Sequence, residues 1–491
     1  MVRLGALKPN IRFHLLLNVL VVIFITGASY YHTPLNGLKD HLVYLIHLCV
    51  LQITLAGALY FLSLHRLLFK VVFSLLFLSL SAFAFWGYSQ DLSVTKELLH
   101  AIVETKPDIA VDTITWPFFG YLLMASLCLV YVLRQYKKID PRAYWKLFAP
   151  AALLCVSLFY ILEQKRPGSL KNRLPYNVYY GVKDYLQQPD LELNFNVHAV
   201  RSRTDSIHVV FVLGETVRAD HLSLNGYPRQ TMPKLEARDR VVSFSKLWTE
   251  HTYTGASVPQ ILTDQNLYDS IGPYTSIYTL AKKAGIGSTW IGNQTLEDSF
   301  EPIVQTNDRT ILIDAFKSEF SFAKAMDAEL LVPLDSILDL PGPQLTTLHT
   351  IGSHWWYENR YLEEHRRFTP VIDSKYVPSL DGQAIINSYD NTIVYLDGFL
   401  DQLIGRLERL EKPTVMVYVS DHGESLGEGG RWLHAQEGEE AKNPAFIVWY
   451  SESFEQNYPE QVSAWPLLKD SPMTTDVIYP FLADLLSIVT H

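Results

Sequence analysis

The chain is predicted to be an α/β protein in two parts: five transmembrane helices, then a doubly wound α/β domain. Three observations predict this. Long apolar segments crowd the first 163 residues. From residue 206 onward, short apolar runs alternate with helical patterns. Two of those runs stop abruptly at acidic residues. A chain of 491 residues has room for more than one domain. Its formal net charge of −10 gives no reason to expect nucleic-acid binding.

Five apolar segments, near 13–31, 42–64, 71–88, 116–133 and 144–162, are long enough to cross a bilayer, some with help from their flanks. The first follows Arg3, Lys8 and Arg12 without a convincing cleavage site, and reads as an uncleaved anchor. Arg66 and Lys70 separate the second and third segments; Arg134, Lys137, Lys138 and Arg142 separate the fourth and fifth. All three basic groups fall on the cytoplasmic side if the N-terminus does, which sends the part after the fifth span outside. Lys165, Arg166, Lys171 and Arg173 follow that span on the other side, where they open a long translocated domain and carry little weight. The spans hold few ionisable groups. His14 and His47 are the exceptions, expected to be interfacial or hydrogen-bonded. A transporter would carry interior charges, so the segments read as an anchor that also shapes a lipid site.

Residues 89–115 form the longer outside loop, in which Leu98, Leu99, Ile102 and Val103 make a helical stripe suited to a membrane surface. Residues 164–205 read as a membrane-surface linker, with YNVYYGVKDYLQQ as an amphipathic helix carrying Tyr176, Tyr179 and Tyr180. The folded domain is expected over 206–491. Its strands include IHVVFVLG and TVMVYVS, and a helix from Asn387 aligns Ile393, Leu396, Leu400, Leu403 and Ile404 on one face. Its Tyr389, Asp390 and Asn391 read as capping and packing residues.

The first of the two interrupted runs, Val209 to Leu213, ends in Gly214-Glu215-Thr216. Such a run reads as a strand buried on both faces, and ligands of open α/β sheets bind beyond the strands' carboxyl ends. The second, TVMVYVS, ends in Asp421-His422-Gly423. Neighbouring residues on a strand point to opposite faces, so Asp421 and His422 can share a ligand only where the strand is turning, which Gly423 permits. Two carboxylates and an imidazole make a donor set for a divalent metal. In HTYTGASVPQIL, residues 251–262, Thr254 opens a short helical run. A hydroxyl at a helix N-terminus faces free N–H groups suited to a phosphate, and metal coordination would make it a usable nucleophile.

The segments GETVRADHLSLNGY, TYTGASVP and SDHGESLGE together resemble the phosphoethanolamine transferases of Gram-negative inner membranes, within the alkaline phosphatase/sulfatase superfamily. The resemblance covers essentially the whole chain. It implies an alkaline-phosphatase/sulfatase-like domain in the periplasm, zinc held by Glu215, Thr254, Asp421 and His422, and Thr254 as the nucleophile. The family's nucleophile stands five residues before the proline of Ser-Val-Pro, which selects Thr254 over Thr252 through Pro259. His354 and His434 match two accessory histidines that bind a second zinc or serve the phosphodiester. Gln294 stands where the family has a phosphate-contacting Asn, and Asp298 where it has a Lys. In the loop before the fourth span, Thr105 alone matches the family's lipid-contacting residues; Ala101 and Ile109 replace the others. The disulfide that frames the nucleophile segment in the family is replaced by Glu250 and Gln260, and no cysteine follows Cys155.

The implied reaction moves phosphoethanolamine from phosphatidylethanolamine to lipid A, core oligosaccharide or another periplasmic glycan, by a monomer. TYTGASVPQ lacks the C/S-x-P-x-R of a sulfatase. A lipoteichoic-type phosphoglycerol transferase, or another superfamily phosphodiesterase, is the enzyme alternative; a non-catalytic membrane scaffold is the other.

Overall fold

The structure, a computed structural model, describes residues 4–33, 35–104, 114–165, 168–187, 191–197, 200–267, 272–313, 325–433 and 438–490. These fall into two compact units, one drawn from 1–99, 114–188 and 376–378, the other from 100–113, 189–375 and 379–491.

Among the described residues of the first unit, five helices are long and apolar enough to cross a membrane: Pro9–Thr26, Gly37–Ser63, Arg66–Gln90, Trp116–Tyr136 and Phe148–Lys165. We label its helices α1 (Leu4–Val21), α2 (Gly37–Ser63), α3 (Ser74–Gln90), α4 (Lys96–Glu104, straddling both units), α5 (Trp116–Tyr136), α6 (Trp145–Lys165) and α7 (Tyr176–Leu186). Their outward faces carry exposed Leu15, Val19, Leu42, Ile46, Leu75 and Leu123, the pattern a lipid solvent demands. Aromatic packing holds the inner faces together. Phe69 and Phe73 stack with ring centroids 4.8 Å apart, and Tyr136 lies 4.3 Å from Phe69. His47 is hydrogen-bonded, with Nδ1 2.6 Å from the Tyr30 hydroxyl. The helix expected over YNVYYGVKDYLQQ is α7, with Tyr179, Val182 and Leu186 exposed on one side and Asn177, Tyr180 and Gly181 buried on the other.

The second unit is built on a seven-stranded sheet. In chain order its strands are β1 (His208–Gly214), β2 (Val241–Phe244), β3 (Gly287–Gly292), β4 (Arg309–Leu312), β5 (Gln344–His349), β6 (Thr414–Ser420) and β7 (Phe446–Tyr450). Their order across the sheet is β2-β7-β6-β1-β5-β3-β4. Of these seven strands β7 alone runs opposite to the others, so the sheet is mixed. Every residue of β1 and β6 is buried, which is why their sequences are apolar runs without alternation. The chain enters this unit earlier than residue 206. Val200–Ser202 pairs antiparallel with Ile488–Thr490, so the end of the expected linker is tied to the last strand.

Helices of this unit include α8 (Thr254–Leu262), α9 (Ile277–Lys283) and α10 (Gly382–Leu407). Val258, Ile261 and Leu262 of α8 are fully buried in the core, which also holds Phe211, Phe300 and Tyr278 of α9. Each such side chain contributes about 1.5–3 kcal/mol, so burial can seat α8 without a disulfide. Helix α10 begins at Gly382, earlier than its sequence pattern suggests, because the Asp381 carboxylate caps it by accepting from Gln383 N and Ala384 N. Tyr389, Asp390 and Asn391 therefore lie inside the helix and do not cap it.

Candidate metal centre and nucleophile

The sheet brings two acidic strand ends side by side. β1 and β6 are parallel neighbours in a register that pairs Gly214 with Ser420. Glu215 and Asp421, the next residues of each strand, therefore leave the same edge of the sheet together. Beyond Ser420 the chain turns and His422 folds back; Gly423 has no room for a side chain, since a Cβ there would stand 2.7 Å from Glu440 O. The ligand atoms of Glu215, Asp421 and His422 all lie within 4.8 Å of one another, and all three residues are buried.

Donor chemistry shows what this cluster fits. The His422 Nδ1 lies 2.8 Å from the Gly423 carbonyl oxygen, which can only accept. A neutral ring then turns the Nε2 lone pair toward the carboxylates. Nε2 is 3.5 Å from Glu215 Oε1 and 3.4 Å from Asp421 Oδ2. Three acceptors facing one another repel unless a cation sits among them. Burial first, and the Glu215 charge second, push the Asp421 carboxyl well above the usual carboxylate range, although backbone N–H groups of Thr216 and His422 pull the other way. The residues thus fit a divalent metal, whose charge would offset that repulsion.

Thr254, the first residue of α8, completes the cluster. Its hydroxyl donates to Glu215 Oε2 at 3.0 Å. Gln294, just beyond β3, donates through Nε2 to the same Oε2 at 3.3 Å and to Thr350 O at 2.7 Å. Its amide therefore holds Glu215 and the loop after β5. Ser353 N donates to Glu215 O at 3.0 Å. His354 follows directly, with Nδ1 2.6 Å from Trp355 O, and lies outside the cluster of ligand atoms. Thr105 and His434 lie outside the described residues.

Several residues that carry the geometry draw no role at the site from the sequence, although Thr216 and Arg218 stand within GETVRADHLSLNGY and Tyr389 and Asp390 read as capping and packing residues. Thr216 adopts φ 64°, unusual for a β-branched residue. That turn lets its hydroxyl donate to Glu215 Oε1 at 2.5 Å and its N–H donate to Asp421 Oδ1 at 3.1 Å. Tyr389 of α10 pins the same turn, donating to Thr216 O at 2.8 Å and accepting from Arg218 N at 2.9 Å. Arg218, itself buried, grips Asp220 with two nitrogens and Glu428 with a third. Asp390 accepts from Tyr227 and Arg229 and lies 2.7 Å from His221 Nδ1, which fastens the stretch after β1 to α10.

Gly352 shows how tightly the Glu215 turn is enclosed. Its φ is 48°, and a Cβ there would stand 2.6 Å from Glu215 O. Asp327 locks it in place by accepting from Ile351 N at 2.9 Å and Gly352 N at 3.0 Å. Gly352→Ala is expected to lower unfolding stability by about 1–3 kcal/mol and to weaken metal retention. Denaturant melts and metal content after dialysis check this; a parental value in both would show that the loop relaxes freely.

Known proteins resemble this chain in sequence and in fold. The sulfatase family model matches residues 207–488. Phosphoethanolamine transferase EptA of Escherichia coli is 32% identical over 262 residues, covering 51% of this chain and 47% of that protein. The chain thus matches about half the length of such curated relatives. The integral membrane lipooligosaccharide phosphoethanolamine transferase A of Neisseria meningitidis superposes with a TM-score of 0.83 at 23% identity, covering 98% of this chain and 96% of that one. The periplasmic domain of EptC from Escherichia coli, solved in complex with Zn, has a TM-score of 0.52 at 23% identity, over 62% of this chain and 87% of that one.

Proposed function

Since the chain belongs to the sulfatase family and its curated relatives are phosphoethanolamine transferases, we propose that it transfers phosphoethanolamine from phosphatidylethanolamine to a lipopolysaccharide or related periplasmic glycan. One observation carries the reading: the Thr254 hydroxyl donates to Glu215 within the cluster of Glu215, Asp421 and His422. The C/S-x-P-x-R motif of a sulfatase is incomplete here, because Ile261 stands where Ser257-Val258-Pro259-Gln260 would need an Arg, so the nucleophile is read as an unmodified hydroxyl.

Glu215, Asp421 and His422, with the Thr254 oxygen, would hold zinc. When bound there, zinc supplies positive charge that eases loss of the Thr254 proton and polarises the phosphate. Thr254 Oγ1, its proton released to solvent, attacks the donor phosphorus as the bond from phosphorus to the glycerol oxygen breaks. Diacylglycerol leaves with a proton, from His354 or His434, and Thr254 keeps the phosphoethanolamine. An acceptor oxygen then attacks the same phosphorus as the bond from phosphorus to Thr254 Oγ1 breaks, and the proton that the acceptor gives up restores the Thr254 hydroxyl. In the first turn of α8 the N–H groups of Ala256 and Ser257 donate to Tyr253 O, and those of Thr254 and Gly255 suit the phosphoryl oxygens. Gln294 holds the Glu215 carboxylate still meanwhile.

Both substrates are membrane lipids or lipid-linked, which explains tethering by the five apolar helices. The basic groups flanking them favour an inner-membrane protein with its second unit in the periplasm. Mass spectrometry of lipopolysaccharide from cells with and without this gene tests the reading. The expected result is acceptor carrying one more phosphoethanolamine only when the gene is present. Identical lipopolysaccharide, with the protein expressed and metal-loaded, would reject that acceptor class.

Stability offers a separate check. Cys49, Cys128 and Cys155 are free, and no cysteine lies after them. The melting temperature of the purified protein should ignore a reductant that does not bind zinc. It should fall with a strong chelator, because a ligand at a hundredfold its Kd stabilises the native state by about 2.7 kcal/mol. A drop with reductant alone, or none after verified metal removal, would contradict this.

A further inference from the structure

The helix preceding the fourth span places an imidazole beside the nucleophile, where nothing in the sequence pointed to one. His100, in α4, belongs to the second unit and is 7% exposed. Its ring meets Tyr253, the residue before Thr254, edge-on with centroids 5.3 Å apart. It also lies against Gly255, the residue after Thr254. A Cβ at position 255 would stand 2.4 Å from His100 Nε2 and 2.6 Å from its Cδ2, closer than a real Cβ comes. The glycine is therefore what admits the ring. Ser299 Oγ is 3.2 Å from the same point, so a second polar group borders this spot. The imidazole thus touches both chain neighbours of Thr254, at the start of α8.

We propose that His100 is a phosphate-contacting residue, donating a hydrogen bond to a non-bridging oxygen of the phosphoryl group at Thr254. This rests on the reading of Thr254 as nucleophile. An imidazole always carries at least one N–H, in either tautomer or as the cation, so the contact needs no particular charge state. His100 moves no proton in this role. The bonds made and broken are those of the transfer to Thr254: oxygen to phosphorus forms, phosphorus to glycerol oxygen breaks. A leucine at position 100 would fill comparable volume against Tyr253 and Gly255 but could not donate, whereas a glutamine keeps an N–H at similar reach.

That difference defines the test. The full-length, metal-loaded protein is placed in nanodiscs of phosphatidylethanolamine and phosphatidylglycerol. Intact mass follows the rate at which the phosphoethanolamine adduct forms on Thr254. Failure of the parental protein to form any adduct sinks the underlying reading, separately from this inference. Given an adduct, His100→Leu should slow its formation by about 10- to 100-fold, the loss of a hydrogen bond to a charged group. His100→Gln should recover about tenfold of that loss. An adduct rate for His100→Leu within about twofold of the parent would overturn the proposal. So would a glutamine variant no faster than the leucine variant, which would assign the ring to packing.

Discussion

Thr254→Ala is expected to abolish transfer, lowering the rate by roughly 10⁴-fold or more, because the proposed mechanism carries the phosphoethanolamine on the Thr254 oxygen between half-reactions. The substitution removes one donor to Glu215 Oε2, and Gln294 still donates to the same oxygen. The cluster should therefore persist, with metal content and melting temperature near those of the parent. Thr254→Ser keeps the hydroxyl but loses the methyl group that fixes its rotamer, so activity should survive within roughly 10- to 100-fold. Intact mass after exposure to phosphatidylethanolamine should show an adduct on the parent and the serine variant only. Acceptor modified by the alanine variant at the parental rate would remove Thr254 from the mechanism.

Asp421→Asn should have an effect of similar size on activity and an opposite one on the stability of the metal-free protein. Asn keeps an oxygen that accepts from Thr216 N and His422 N, so the turn after β6 keeps its hydrogen bonds. It removes one of two buried carboxylates that repel each other. Metal content should fall well below one per chain, and transfer by about 10³-fold or more. In chelator, however, the variant should melt at or above the parent, by an amount corresponding to about 1–3 kcal/mol of relieved repulsion. The gap between metal-loaded and chelated melts should close. Retention of full metal by this variant and by Glu215→Ala would move the metal elsewhere. A chelated variant much less stable than the chelated parent would mean that the carboxylates do not repel in the fold.

Much of this was legible in the sequence because its signals are local. Apolar length marks the spans, and unbroken apolar runs ending in acid mark β1 and β6 with Glu215 and Asp421 at their tips. A small residue after Thr254 and a buried stripe behind it mark α8. The resemblance of three short segments then ties those residues together. Less legible was the helix around Tyr389, whose true start depends on Asp381 and whose polar residues face inward to the chain after β1. Buried hydrogen-bonding residues look like surface residues in a sequence, because the partner that makes their burial tolerable is more than a hundred positions away.

The sequence by itself determined the element types, the apolar helices, the two acidic strand ends and the hydroxyl at the start of α8. Periodicity, capping and chain length are set by neighbours along the chain. Only the tertiary structure decided that β1 lies between β5 and β6. That order puts Glu215 beside Asp421, brings Gly352 and Ser353 onto Glu215, and sends β7 antiparallel along the sheet. It also decided that Thr216 turns through positive φ, that Gln294 binds Glu215, and that His100 packs on Gly255. Strand order and inter-element contacts are won by competition among many non-local pairings of similar local preference. Their outcome depends on which arrangement packs the shared core and satisfies its buried polar groups, and no window of neighbouring residues contains that information.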